Sequence, residues 1–456
     1  MSDAVESYFS TEQMSKVFSS EGHVRSLLAF EGALARAQAG LGIIPERASE
    51  IIRAKCDETL FDSAALFAEA ARSGTPVIPL VARLIELVEE DARKYVHWGA
   101  TSQDAMDSAL MLQIRAGLSL LADGLDAVCD RCAALAEQHR RTVMAGRTLL
   151  QQAVPITFGL KAARWLSMAH RRSRALRELQ SRATAVQLGG AAGTLAAMAG
   201  AGAADRGLRV VEGLAEALGL PVPDLPWHAE RDRVGEISAQ LGVVAGAMAK
   251  IAGDIVLLAQ TEVGEAHEAR SPGKGGSSAM PQKRNPVDAI RAVAAARLAI
   301  GEVPVILSAM AQSHERGAGD WQAEWSAVPN LFRHTACAVE ALRASLSGLT
   351  VDTARMAENL ESTNGQIMAE SLTMALALHL GRPAAQQIVT EVCRQAEKSG
   401  KTVKDIAQSD ARITDALDAK RLDDALDPSR YLGSTDAFIE RSLESYRRSR
   451  AVRARR

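Results

Sequence analysis

Residues 235–258 read GEISAQLGVVAGAMAKIAGDIVLL, and within them Ile237, Leu241, Val244, Met248, Ile251, Ile255 and Leu258 fall in alternating steps of four and three. That spacing is the apolar seam of a coiled-coil-like helix, held over about three heptads. No proline interrupts the chain from Gly235 to Ala269. At ~1.5 Å per residue, this predicts one helix about 50 Å long. A second seam runs through Ile114, Leu118, Leu121, Leu125, Val128, Cys132 and Leu135. Helices this long bury their seams against other long helices, within one chain or across subunits.

The composition agrees with the seams. Of 456 residues, 47% are hydrophobic and only 4% aromatic. Sheets would draw on more β-branched and aromatic residues, so an all-α fold is expected. The length exceeds one simple core. Three segments are predicted: residues 1–100 with short helices, 101–345 with the long ones, and 346–456 with shorter helices such as 366–380. Glycine-rich stretches near 189–204 and 271–286 interrupt the middle segment.

Net charge is −2, which offers no global basic field for nucleic acid. The arginine-rich end, RRSRAVRARR (447–456), reads as a solvated, frayed tail. The start, MSDAVESYF, lacks a signal pattern, and the Gly/Ala run 188–204 is too short and too weakly apolar for a membrane span. Five cysteines in this length fit a reducing compartment, and the cytoplasm is the expectation. Cys129-x-x-Cys132 has no second cysteine or histidine pair to complete a zinc site. Cys132 also falls on a seam, so the pair reads as small buried hydrophobes. No metal spacing and no dinucleotide fingerprint occur, so no cofactor is expected.

Residues 271–286, SPGKGGSSAMPQKRNP, break the helical pattern. Gly273, Gly275 and Gly276 permit unusual backbone angles. Ser277 and Ser278 offer hydroxyls, and Lys283 and Arg284 offer positive charge. Asn285 suits an N-cap, Pro286 the first helical position and Asp288 the first turn. Hydroxyls and cations at a helix N-terminus predict an anion site.

GSSAMPQKRNP (276–286) resembles the G-S-S-x-M-P-x-K-x-N-P loop of the fumarase/aspartase superfamily. VHWGATSQDAMDS (96–108), GRTLLQQAVPITFG (146–159) and QLGGAAGT (187–194) resemble that superfamily's other motifs, in its order. The resemblance implies an all-helical three-domain subunit. It also implies that the bundle of long helices forms the core of a homotetramer, with active sites shared between subunits. It implies a small polycarboxylate substrate; the charge and hydropathy already lead us to expect no nucleic-acid or membrane partner. By position, Ser277 would be the loop serine that exchanges a proton at the carbon α to a carboxylate. Lys283 and Asn285 would hold substrate carboxylates. Thr101, Ser102, Thr148, Gln151 and Ser278 would donate to them, and His97 would line the same site.

Leu149 departs from the pattern, because the superfamily carries a histidine there that assists the leaving group. Leucine transfers no proton, which argues against an amine-releasing lyase of the adenylosuccinate lyase type. A carboxylate is already ionised at neutral pH and needs no base to attack. The resemblance therefore points to the cycloisomerase branch, in which a muconate carboxylate closes a lactone and the α carbon takes a proton. PWHAERD (226–232), HERGAGDWQAEW (314–325) and DPSRYLG (427–433) resemble that branch. A substrate with three carboxylates needs several cations, and the expected ones are Lys283 and Arg316, backed by Arg231 and Arg147. His228 is a further proton source, against its reading as a structural histidine. A cycloisomerase of a sulfonated muconate and a non-catalytic homologue stay open as alternatives.

Overall fold

The computed structural model describes residues 7–199, 204–270, 273–276 and 279–453. In chain order, the elements that matter for the site are α1 (Ser20–Gly40), α2 (Ser102–Gln138), β1 (Val143–Thr148), β2 (Gln151–Thr157), α3 (Phe158–Ala183), α4 (Ala204–Leu218), α5 (Asp232–Leu258), β3 (Ala266–His267), α6 (Val287–Ser308), α7 (Asp320–Ser347), β4 (Thr350–Val351), α8 (Ala369–Leu380), α9 (Arg382–Ser399) and α10 (Thr435–Arg453). Helices dominate, as the composition predicts. Among the described residues the strands pair as two small antiparallel sheets, β1–β2 and β3–β4.

Both predicted seams are buried. Ile114, Leu118, Leu121, Leu125, Val128 and Cys132 on α2, and Ile237, Leu241, Val244, Met248, Ile251 and Ile255 on α5, are at most 1% exposed. Burial pushes the Cys132 thiol up to about 12, which leaves it an inert apolar filler. By length and composition α5 could cross a membrane, yet half of its most apolar window is buried inside the fold.

The predicted 50 Å helix is shorter than its proline-free run. α5 stops at Leu258 after 27 residues, about 40 Å. Beyond it, Gly264 adopts φ +64° and donates to the Gln260 carbonyl, while Glu265 N–H donates to the Leu258 carbonyl. The chain thus folds back in a separate turn at 260–264, and its Glu265 N–H satisfies the last carbonyl of α5, so the helix ends without any proline. The C-terminal arginines are also not a frayed tail. Up to Arg453 they lie on α10, and Arg447, Arg450 and Arg453 pair with Glu137, Asp130 and Asp126.

The residues group into two compact units. The first comprises Met1–Leu125, Arg171–Ala249 and Arg291–Ala341. Its core includes Leu27, Leu28 and Leu34 of α1 and Val210 and Leu214 of α4, all at most 1% exposed. Gly213 lets these helices approach: a Cβ there would stand 3.2 Å from that of Ala37. The second unit comprises Asp126–His170, Lys250–Ile290 and Leu342–Arg456. One of its cores is built on Leu372 and Leu376 of α8 and Ile388, Val389 and Val392 of α9. Segment 1–100 lies within the first unit, 346–456 within the second, and 101–345 contributes to both.

Candidate active site

In the first unit the site begins at the N-terminus of α2. Thr101 precedes the helix, and its backbone N–H donates to Asp104 Oδ2 at 2.9 Å, half of a capping box. The same carboxylate accepts from Gly189 N–H (2.8 Å), Gly190 N–H (2.9 Å) and His228 Nε2 (2.7 Å). Asp104 is fully buried, so these four donors replace its lost hydration. Glycine is required at 189, where a Cβ would lie 2.8 Å from His228 Cε1. Asp104 thus pins the turn before α2, the glycine-rich loop and His228 together. Thr101 and Ser102 stay half-exposed at the helix start.

His97 stands beside this turn at φ +55°, a strained conformation for a residue with a side chain. Its Nδ1 lies 2.6 Å from a carboxylate oxygen of Glu31, which projects from the buried face of α1 and is 2% exposed. Burial opposes a charge on the imidazole. Glu31 first and Asp104 second more than overcome it, so the His97 pKa is raised above its ordinary value.

Arg316 donates from Nε to Gln103 Oε1 (2.8 Å) and from Nη2 to the Ala191 carbonyl (3.2 Å). Both acceptors are neutral. Arg316 has no carboxylate partner among the described residues. Arg231 is the opposite case. It is 1% exposed, and it donates to Asp107 at 2.7 and 3.0 Å and to Glu324 at 3.0 and 2.5 Å. Trp321 Nε1 donates to Asp107 at 3.3 Å and packs edge-on against Trp325, with ring centroids 4.9 Å apart. The expectation that Arg231 is free for a substrate carboxylate is therefore overturned: four of its five donors already meet protein carboxylates. His228 likewise spends Nε2 on Asp104 and is 3% exposed, the structural arrangement of a hydrogen-bonded histidine.

In the second unit, β1 and β2 form a hairpin in which Thr148 faces Gln151 across a two-residue loop. That loop is Leu149–Leu150, at φ +51° and +64° and 96% and 73% exposed. Two left-handed residues are what a tight hairpin demands, and Asn-Gly is its usual sequence. Arg147 is held by Glu265 through two 2.8 Å bonds, and Glu265 also accepts from Asn359 Nδ2. Arg147 is thus committed to a protein carboxylate.

Ser277 and Ser278 lie outside the described residues. The rest of the loop lines a cavity of about 280 Å³ with Lys283, Arg284, Arg270, His267 and Asn285. Lys283 is exposed and, among the described residues, has no carboxylate partner. Burial, then the charges of Arg284 and Arg270, lower the His267 pKa, so that imidazole stays neutral at neutral pH. Asn285 closes the loop on itself, its N–H donating to the Gly275 carbonyl at 3.0 Å. The N-terminus of α6 is not open to an anion. Glu268 occupies it, accepting from Asp288 N–H at 3.2 Å and Ala289 N–H at 2.8 Å. Lys274 pairs with Asp288 there. The anion-binding character of this loop therefore rests on Lys283 and Arg284, not on the helix end.

The structure brings His97, Thr101, Ser102, His228 and Arg316 together through Asp104 and Gln103. It places Thr148 and Gln151 at the hairpin tip, and Lys283 and Asn285 on the loop. Sequence reasoning missed Glu31, Gln103 and Asp104 as supports. Asp104 had a readable signal, since Thr101-x-x-Asp104 is a capping-box spacing.

Long helices, a polar loop whose lysine is unpaired among the described residues, and a capped helix start that gathers hydroxyls and an arginine define a helical enzyme of the fumarase/aspartase type. Residues 5–301 match the family described as lyase, and residues 365–442 match the adenylosuccinate lyase C-terminus. The chain belongs to this lyase family of the fumarase/aspartase superfamily. The 3-carboxy-cis,cis-muconate cycloisomerase of Pseudomonas aeruginosa is 43% identical over 444 residues, 97% of this chain and 96% of its own. The nitrosuccinate lyase of Streptomyces davaonensis is 40% identical over 427 residues, 91% of this chain and 88% of its own. The crystal structure of the 3-carboxy-cis,cis-muconate lactonizing enzyme from Pseudomonas putida superposes with a TM-score of 0.91 at 39% identity, covering 97% of this chain and 98% of that one.

Proposed function

We propose that this chain is a cycloisomerase of 3-carboxy-cis,cis-muconate, an intramolecular lyase that forms 4-carboxymuconolactone in protocatechuate breakdown by the β-ketoadipate route. One substrate carboxylate adds to the conjugated double bond, and the α carbon takes one proton as the π pair becomes a C–H bond. The observation that carries the reading is the division among the arginines and lysines. Arg147 and Arg231 are held by protein carboxylates, whereas Lys283 and Arg316 have none among the described residues. Two uncompensated cations suit a substrate of several carboxylates. Thr101, Ser102, Thr148, Gln151 and Asn285 supply neutral donors, and Ser278 joins them by resemblance. Ser277 keeps the role that the resemblance gives it, delivery of the proton. An amine-releasing lyase of this fold is disfavoured by Leu149, which places hydrocarbon at the hairpin tip.

We further infer a homotetramer in the cytoplasm, with each site completed by other subunits. Support comes from the exposed Leu149 and Leu150, and from Ile290, Leu298, Ile300, Val305 and Leu307, which are 42–47% exposed along α6. Long helices do not leave such residues in water without a partner. The test of the function is the ultraviolet absorbance of the diene. Purified protein should bleach 3-carboxy-cis,cis-muconate and leave adenylosuccinate and argininosuccinate untouched. Persistence of the diene while either succinate is cleaved would overturn the reading.

A further inference from the structure

We propose that Glu31 is a positioning residue that keeps His97 a doubly protonated imidazolium, so that His97 joins Arg316 as a second fixed cation for substrate carboxylates on the rim of α2. The inference rests on the cycloisomerase reading for the identity of the anion, but not for the state of the imidazole.

The geometry fixes the direction in which the ring works. Nδ1 is taken by Glu31 at 2.6 Å, a charge-assisted distance. Nε2 has no partner among the described residues, and the side chain is 15% exposed, so that nitrogen is the one left to meet a ligand. Glu31 is 1% exposed at its side chain and is matched by no lysine or arginine among the described residues. A buried carboxylate without a compensating cation is costly, and a protonated imidazole 2.6 Å away supplies that cation. The charges around the ring favour the same state. Glu31 on α1 and Asp104 on α2 face it. Asp104 in turn carries His228, and Arg316 reaches the same turn only through the neutral Gln103. The bond from Nδ1 to Glu31 keeps the ring from turning away. A neutral histidine would offer a polycarboxylate one weak donor, whereas an imidazolium offers a charge and a donor together.

Because His97 binds a carboxylate rather than breaking a bond, the effect falls on KM. The test compares wild type, Glu31→Gln and Glu31→Asp by nitrogen-15 NMR of the histidine rings, with His97→Gln assigning the resonance. The diene assay runs in parallel from pH 6 to 9. In wild type both His97 nitrogens should be protonated at pH 7. In Glu31→Gln the titration midpoint should fall by about one unit or more. KM at pH 7.5 should rise about tenfold with kcat within about twofold, and Glu31→Asp should restore most of both. A neutral His97 in wild type at pH 7, or an unmoved midpoint in Glu31→Gln, overturns the proposal. So does a loss confined to kcat. If Glu31→Gln does not fold, the wild-type ring titration decides alone. If wild type does not bleach the diene, the functional reading fails while the ring titration still judges Glu31.

Discussion

Replacing Arg231 with methionine separates its two possible roles. As a substrate ligand, Arg231 would affect KM and leave the fold intact. In the structure its guanidinium makes four bonds of 2.5–3.0 Å to Asp107 and Glu324, whose side chains are each 1% exposed. Removing it strands two buried carboxylates. Asp107 keeps Gln103 Nε2 (3.1 Å) and Trp321 Nε1 (3.3 Å), while among the described residues Glu324 keeps only a long contact to Gln312 (3.4 Å). Breaking a buried pair in this way costs about 3–5 kcal/mol. Set against a typical stability of about 5–15 kcal/mol, the denaturation midpoint should drop by about a fifth or more.

The loss should depend on pH with a definite sign. Burial already raises the Glu324 pKa in the presence of Arg231, which partly offsets it. Without Arg231 that pKa rises further, and the native state holds a proton that the unfolded chain releases. Stability of the variant therefore recovers as pH falls through the raised native value, by about 1.4 kcal/mol per unit for one proton. Urea unfolding by circular dichroism at pH 8 and pH 6, at fixed protomer concentration, measures both effects. An unchanged midpoint at both pH values with KM raised tenfold would refute the reasoning and return Arg231 to the substrate.

Lys283→Met should lower turnover of the carboxymuconate by about 10²–10³-fold, as loss of a fixed cation at developing charge does, with an unchanged melting temperature because Lys283 is exposed and has no carboxylate partner among the described residues. Calorimetry and the diene assay together check this. Leu149→Asn with Leu150→Gly should raise the stability of the isolated protomer by about 1–2 kcal/mol, since the hairpin loses its left-handed strain. The same change should weaken assembly in light scattering and lower turnover, because it removes two exposed leucines.

The helical fold was legible because its cause is local: seams at Ile114–Leu135 and Ile237–Leu258 are set by spacing alone. The end of α5 was misplaced because the prediction followed the proline-free run to Ala269, whereas the helix stops at Leu258, where the apolar seam itself ends. The loop 276–286 could be read because its chemistry lies in one contiguous stretch. The supports could not. Glu31 is 66 residues from His97, and its sole trace in the sequence is a charge at the helical spacing of Leu27, Leu28 and Leu34. Arg231 was misread for the same reason. A lone arginine in sequence gives no sign of which carboxylates fold against it, and here they arrive from 124 and 93 residues away. The α6 N-terminus failed similarly: Asn285-Pro286 announces a helix start, but not that Glu268 will fill it.

Leu149 has a second consequence beyond the missing proton. A carboxylate in water is a poor nucleophile because its charge is held by solvent, and a lactone formed in water is exposed to hydrolysis. Excluding water and replacing it with fixed donors addresses both. The hairpin tip carries two leucines in a conformation that costs backbone strain, and no described residue covers them. Strain and exposure persist in a fold only where something outside the chain answers for them. Beneath the tip, Thr148 and Gln151 keep their donors free among the described residues. That arrangement, hydrocarbon ahead and donors behind, would seal a polycarboxylate site from solvent while holding its charged groups. It is the arrangement expected for internal attack by a carboxylate, and a poor one for protonating a departing amine.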